Sequence, residues 1–293
     1  MAKRHTSGLA GKAAAVLRLT RIEHSAMLVI AVLAAEFIVG NTVALWVLLL
    51  SLISPVLISM GAFAINDYFD ISVDKLNKKK RPLVTGELKP VHAIYITVIC
   101  MILGVAASSA INAYCLAIAL IFAVLAISYS YKLKEILLAG NSYIAFSMAI
   151  PFIFGNYVES TTLHSSILII STMIFISGLA REIHGTIRDY YGDIRVRAAR
   201  TLPTVIGTGA SANVAFALYA VAIAISAYIF LYVAPFRLNI LYALVISISD
   251  ALLIYVSLGY ITAGKRFYDK ARNISLAAMA LALLAFLFSP FAV

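Results

Sequence analysis

Residues 42–74 read TVALWVLLLSLISPVLISMGAFAINDYFDISVD. The first 24 of them, 42–65, carry no charge, and three aspartates (Asp67, Asp70 and Asp74) follow within nine residues. Roughly 20 apolar residues are enough for a helix to cross the hydrocarbon of a bilayer. Backbone polar groups find no water there, so such a run must satisfy its hydrogen bonds within itself, as a helix does. The stretch therefore predicts a membrane-spanning helix that ends in a carboxylate cluster.

Working outward, the same reading predicts nine spans: 25–40, 42–65, 91–110, 112–130, 136–155, 163–180, 211–234, 239–262 and 274–292. The whole chain has 293 residues, 63% of them apolar and 12% charged, with a mean hydropathy of +0.99. A soluble domain has about 25% charged residues, so a water-soluble globule, a disordered chain and a nucleic-acid binder are excluded. Cys100 and Cys115 lie inside apolar runs and offer neither a disulfide framework nor a metal-ligand spacing. The basic N-terminal segment is followed at once by further spans, which reads as a retained first helix.

The net charge is +10. Of the 23 Lys and Arg, 22 fall in the N-terminal segment and in the connections after spans two, four, six and eight. Only Arg237 lies on the other side. Positive residues stay cytoplasmic, so the expected topology has the N-terminus inside and the C-terminus outside. Ten of the 13 acids sit on the same side, the exceptions being Glu36, Glu159 and Asp250. Acids contribute little to topology, so their clustering needs another cause.

A second acidic segment follows span six as Arg188-Asp189-Tyr190-Tyr191-Gly192-Asp193. Asp70 to Asp189 and Asp74 to Asp193 are both 119 residues, while Pro82 to Pro203 and Gly86 to Gly207 are both 121. This reads as a diverged internal duplication. The expectation is one membrane-embedded domain, 1–293, with four-span repeats over about 25–130 and 136–262 and a ninth helix at 274–292. An even number of spans per repeat puts both clusters on the cytoplasmic face, where they can converge on one cavity. If the helices continue past the apolar runs, Asp70 and Asp74 share a face and Asp67, three residues before Asp70, joins them; Asp189 and Asp193 are again i, i+4. Clustered carboxylates suit a hard divalent cation such as Mg²⁺, which also takes substrate phosphate oxygens. Nearby Lys and Arg suit those phosphates. A diphosphate carrying a lipid tail fits both demands.

At these residues the sequence resembles the UbiA superfamily of intramembrane prenyltransferases. The first motif is whole as Asn66, Asp67, Asp70 and Asp74, followed by Asn77 and by Arg81-Pro82-Leu83 to Gly86. The second motif is Asp189 and Asp193, followed by Thr201-Leu202-Pro203. Between them lie Tyr129-Ser130-Tyr131-Lys132-Leu133-Lys134 and Gly140-Asn141. Arg181-Glu182-Ile183 and Asp74-Lys75 are similar to the archaeal ether-lipid branch of the superfamily, although Gly185-Thr186 stands where that branch has Lys-Asp.

The resemblance implies an all-α bundle of nine transmembrane helices with helical caps on the cytoplasmic side. It implies a multi-pass enzyme of the cytoplasmic membrane whose active site faces the cytoplasm. The activity implied is Mg²⁺-dependent transfer of a polyprenyl group, such as geranylgeranyl, from its diphosphate. The acceptor is the free hydroxyl of geranylgeranylglyceryl phosphate, and pyrophosphate leaves through an allylic cation. Two ions are expected, at Asn66, Asp67, Asp70 and Asp74 and at Asp189 and Asp193. The carboxylates and Lys134 are the expected catalytic groups. Substrate contacts are expected at Asn66, Arg81, Lys132, Lys134, Asn141 and Arg188, at Arg18, Arg21 and His24 before span one, and at Tyr68, Tyr129 and Tyr131. Neither nucleic acid nor an obligate protein partner is implied. Two readings remain open: an aromatic prenyltransferase of quinone synthesis, and a transporter with an intramembrane acidic site. Glu36 is expected near the interface at the outer end of span one. Asp250 is expected to bond Ser247, Ser249 or another helix. His184 and Glu182 are candidates to support the second cluster or to act as a base for the acceptor.

Overall fold

The computed structural model describes residues 8–40, 42–196 and 200–291, and every regular element among them is helical. In chain order these are α1 (Leu9–Thr20), α2 (Ser25–Val39), α3 (Leu45–Phe69), α4 (Ile71–Leu76), α5 (Pro82–Thr85), α6 (Pro90–Ser109) and α7 (Ala113–Tyr131). They continue with α8 (Ala139–Glu159), α9 (Ser165–Val196), α10 (Leu202–Ile206), α11 (Thr208–Tyr232), α12 (Ile240–Thr262) and α13 (Lys265–Phe288).

Each predicted span coincides with one long helix. Among the described residues, seven helices are long and apolar enough to cross a membrane alone, and α1 with α2 forms a further pair bent by 56°. The remaining long helix, α8, is interrupted by Asn141, Pro151 and Asn156 and is more polar. The largest departure in length is α9. It runs 32 residues, about 48 Å at 1.5 Å per residue, well beyond a hydrocarbon core of about 30 Å. The second aspartate motif thus stands on the polar continuation of a spanning helix.

Two compact units share the chain. One comprises Met1–Val29 and Trp46–Tyr131, the other Ile30–Leu45 and Lys132–Val293. Their boundary at Tyr131 falls between the two expected repeats, but residues 30–45 of the expected first repeat belong to the other unit. Each unit repeats one local pattern. In the first, α3 and its continuation α4 are followed by the short α5 and then α6. In the second, α9 is followed by the short α10 and then α11. Both short helices carry Pro in their first turn, where its missing N–H costs nothing. Both end at a glycine of positive φ, Gly86 at 80° and Gly207 at 85°, a backbone open mainly to glycine.

In the first unit α3 and α6 approach closely. The Thr97 hydroxyl donates to the Gly61 carbonyl at 3.1 Å and the Ser54 hydroxyl to the Gly104 carbonyl at 2.8 Å. Small residues with bridging hydroxyls are the usual means of joining helices where lipid removes the hydrophobic drive. The second unit uses the same device. A core of Ala180, Ile183, Ala212, Ala215, Val256 and Ala271 joins α9, α11, α12 and α13. Asn239 caps α12, accepting from the Tyr242 N–H at 3.0 Å, and its amide donates to the Ser289 carbonyl at 2.9 Å.

Two intramembrane acids are accounted for here. Asp250 accepts a hydrogen bond from the Ser226 hydroxyl of α11 at 2.7 Å, so its partner is on another helix rather than Ser247 or Ser249 of its own. Glu36 does not reach a surface: it is fully buried in α2.

Gly155 and Gly185 separate close packing from helix propensity. A Cβ at Gly155 would stand 2.7 Å from the Val32 carbonyl oxygen, whereas one at Gly185 would meet nothing within 4 Å. Gly155→Val should therefore destabilise the protein by about 1–3 kcal/mol through overpacking. Gly185→Ala should be neutral or stabilising by up to about 1 kcal/mol. Thermal unfolding in detergent checks both.

Candidate active site

The first motif lies where α3 ends. Asn66 and Asp67 occupy its last turn, and the helix breaks at Asp70. The backbone stays in register across the break, because the Asp74 N–H still reaches the Asp70 carbonyl at 2.8 Å. Asp67 and Asp74, two turns apart, share the Arg81 guanidinium, and the unbroken register keeps Asp70 one turn before Asp74. Both are buried, at 2% and 3% exposure, while Asp70 is half-buried.

Four cations of this unit converge near the motif. The Arg21 Nη2 donates to Asp67 Oδ1 at 2.6 Å, and its guanidinium lies 4.6 Å over the Phe63 ring. Arg21 itself is a non-glycine residue at φ 48°, where the chain turns out of α1. Arg81 Nε stands 3.9 Å from both Asp67 Oδ2 and Asp74 Oδ2, a charge contact too long for a hydrogen bond. Lys79 Nζ is 2.9 Å from Asp74 Oδ1. Arg18 pairs with Glu87, which also accepts from the Thr85 hydroxyl at 2.8 Å.

Local structure explains the ring of charge. Helix α4 ends in a Schellman turn: the Lys79 N–H bonds the Asp74 carbonyl at 3.0 Å and the Lys78 N–H bonds the Lys75 carbonyl at 3.1 Å. Lys78 takes the left-handed position at φ 53° that is usually glycine. The turn folds Lys79 back on Asp74. Arg81 is extended because it precedes Pro82. Helix α1 packs its Ala15 and Leu19 with Ala64, Leu83 and Leu88, which brings Arg21 to Asp67.

The aromatic candidates of this unit form a chain of edge contacts. Tyr68 meets Phe69 at 5.4 Å, and Phe69 meets Tyr131 at 5.8 Å. His24 packs edge-on to Phe63 at 5.5 Å. Tyr129 is half-buried near the end of α7.

In the second unit, Arg188 grips Asp189 with a two-pronged contact, Nε to Oδ1 and Nη2 to Oδ2, both 2.8 Å. Arg181 pairs with Glu182 at 3.0 Å. Asp193 is on the same helix, four residues on, but its side chain lies outside the described residues. Lys132 pairs with Glu135 at 3.0 Å. Lys134 and Asn141 are half-buried. The turn carrying Lys134 lies directly on the first turn of α8, because Gly140 leaves room for it; a Cβ there would sit 2.9 Å from the Lys134 Cα.

Sequence reasoning missed Lys79 and Glu87. Lys79 sits in a run of three lysines that gives no reason to choose among them, and Glu87 is a partner only because α1 packs on α5.

Among the described residues, no three His, Cys, Asp or Glu side chains form a ready-made metal cage. The first motif nevertheless suits a divalent cation that arrives with its own ligands. Asp67 Oδ2 is buried without a hydrogen-bond partner, and Mg²⁺ needs only one or two carboxylates when phosphate and water complete its shell.

The model of the UbiA prenyltransferase family matches residues 27–279. A digeranylgeranylglyceryl phosphate synthase from Archaeoglobus fulgidus is 35% identical over 275 residues, 93% of this chain and 94% of that protein. Another from Methanopyrus kandleri is 32% identical over 277 residues, 94% of this chain and 98% of that protein. A solved structure of digeranylgeranylglyceryl phosphate synthase in membranes superposes with a TM-score of 0.78 at 28% identity, covering 96% of this chain and 99% of that one. A UbiA homolog from Archaeoglobus fulgidus bound to GPP and Mg²⁺ shares the fold, with a TM-score of 0.67 at 20% identity over 93% and 99% of the two chains. Motifs, helical order and relatives agree, and the chain belongs to the UbiA prenyltransferase family.

Proposed function

We propose that this prenyltransferase moves a geranylgeranyl group from its diphosphate to the free hydroxyl of geranylgeranylglyceryl phosphate, with Mg²⁺ and with release of pyrophosphate. The observation that carries the reading is the buried Asp67–Asp74 pair ringed by Arg21, Lys79 and Arg81 at the end of a charge-free helix. The choice of acceptor rests on the curated relatives, which are named for that product and align over almost their whole length.

The residues divide the work by charge. Asn66, Asp67, Asp70 and Asp74 would hold one Mg²⁺, and Asp189 and Asp193 a second. Bound there, the metal supplies positive charge for the diphosphate oxygens as the allylic C–O bond breaks. Arg21 and Arg81 are held against the carboxylates and have only to turn toward the phosphate. Lys132, Lys134, Asn141 and Arg188 are further candidates for phosphate contact, and Arg18 and His24 are candidates for guiding the substrate in. The faces of Tyr68, Tyr129 and Tyr131 shield the allylic cation. Preorganised charge of this kind accounts for much of the rate gain in ionising reactions. The chain is read as one domain of nine spans in the cytoplasmic membrane, with the N-terminus and the active site on the cytoplasmic side, as the placing of 22 of 23 cations supports.

Asp67→Asn keeps an acceptor for Arg21 but removes the charge. It should lower turnover of labelled geranylgeranyl diphosphate by about 100-fold or more while the melting temperature moves little. Arg81→Ala should cost less, about 10-fold to 100-fold, as loss of one of several phosphate donors. A full rate in Asp67→Asn would overturn the metal–diphosphate reading.

Chelation with EDTA should abolish product formation, and Mg²⁺ should restore it. With geranylgeranylglyceryl phosphate and 4-hydroxybenzoate offered together, the labelled chain should appear on the glycerol lipid. Label on the aromatic ring would instead establish the quinone-type reaction.

A further inference from the structure

Three rings stack in the second unit below the second aspartate motif. His184 of α9 lies face to face with Tyr260 of α12, with centroids 3.8 Å apart and planes 2° from parallel. Tyr260 lies in turn on Tyr268 of α13, at 4.5 Å and 8°. Tyr219 of α11 closes the side at 5.6 Å from His184. His184 is 3% exposed, and neither of its ring nitrogens has a hydrogen-bond partner. The imidazole is therefore held by its faces.

The stack sits at a mechanically exposed point. Arg188 is one turn beyond His184 on the same face of α9, and Asp189 follows it. The Arg188–Asp189 contact joins sequence neighbours, so it ties Asp189 to nothing outside its own helix. Ile187, just before Arg188, is the last α9 residue in the described core of the second unit. Tyr260 of α12, stacked on His184 one turn before Arg188, supplies a reference outside α9. The turn at Gly264, φ 67°, reverses the chain so that Tyr260 and Tyr268 can meet.

We propose that the His184–Tyr260–Tyr268 stack is a positioning device for Asp189. It clamps α9 to α12 and α13 so that Arg188 presents the Asp189 carboxylate in the orientation that receives the divalent cation. The proposal rests on the reading of Asp189 as a metal ligand. His184 acts here as an aromatic plate, which phenylalanine can replace and leucine cannot.

The test uses the full chain in detergent and follows Mn²⁺ by electron paramagnetic resonance in the presence of inorganic pyrophosphate, alongside the Mg²⁺ dependence of turnover. His184→Leu and Tyr260→Leu should weaken Mn²⁺ binding about tenfold or more, the usual cost of losing a ligand's support, and His184→Phe should stay within about twofold of wild type. Tyr268→Leu, at the half-buried edge of the stack, provides the same comparison if a more central variant fails to fold. Leucine variants that melt at a lower temperature yet bind Mn²⁺ as tightly as wild type would overturn the proposal, leaving only a packing role. So would a His184→Phe variant as impaired as His184→Leu. Asp189→Asn separates the two levels. If it binds Mn²⁺ normally, Asp189 is no ligand and the underlying reading falls with the proposal; if it binds weakly while the stack variants do not, only the stack is refuted.

Discussion

An ionised carboxylate cannot be buried at the end of an apolar helix without cations beside it, and Asp67 and Asp74 are buried at 2% and 3% exposure. The effective penalty for an isolated buried charge is several kcal/mol. Most of the local architecture of the first unit can be derived from meeting that penalty. Helix α1 packs on α3 and α5 and delivers Arg21. The Schellman turn after α4 delivers Lys79, and the extended residue before Pro82 delivers Arg81. These are separate backbone devices with one electrostatic result.

How much of this was legible in the sequence depends on the range of the interaction. The helices were, because hydropathy is a local property and each run coincides with a helix, of which seven among the described residues are long and apolar enough to cross a membrane alone. The two motifs and their matched offsets were, because a duplication is a relation between letters. The partners of the carboxylates were legible only in part. Helical spacing groups Asp67, Asp70 and Asp74, but that Arg81 stands beside Asp67 and Asp74 follows only from the chain path before Pro82. Nothing in Lys78-Lys79-Lys80 marks Lys79 until Lys78 adopts a left-handed backbone that lysine rarely takes. The stack on His184 is beyond local reading altogether, since its three rings come from α9, α12 and α13.

Glycine has opposite meanings at different points of this fold. At Gly155 and Gly140 the missing Cβ is what lets two backbones touch. At Gly86 and Gly207 the space is open and the backbone angle is the reason. Gly185 meets neither condition. It stands where the ether-lipid branch has lysine, beside Thr186 in place of an aspartate, and the Thr186 hydroxyl turns back to the Ile183 carbonyl at 2.8 Å. Position 186 of this chain thus offers a hydroxyl in place of a carboxylate.

The ring around Asp67 and Asp74 has a consequence for the order of events. Two carboxylates face three cations, Arg21, Lys79 and Arg81, so each carboxylate is already matched by protein charge. For a divalent cation to take those carboxylates, the guanidinium and ammonium groups must find another anion, and a diphosphate is such an anion. Metal and diphosphate therefore suit the cluster as the two halves of an exchange of ions.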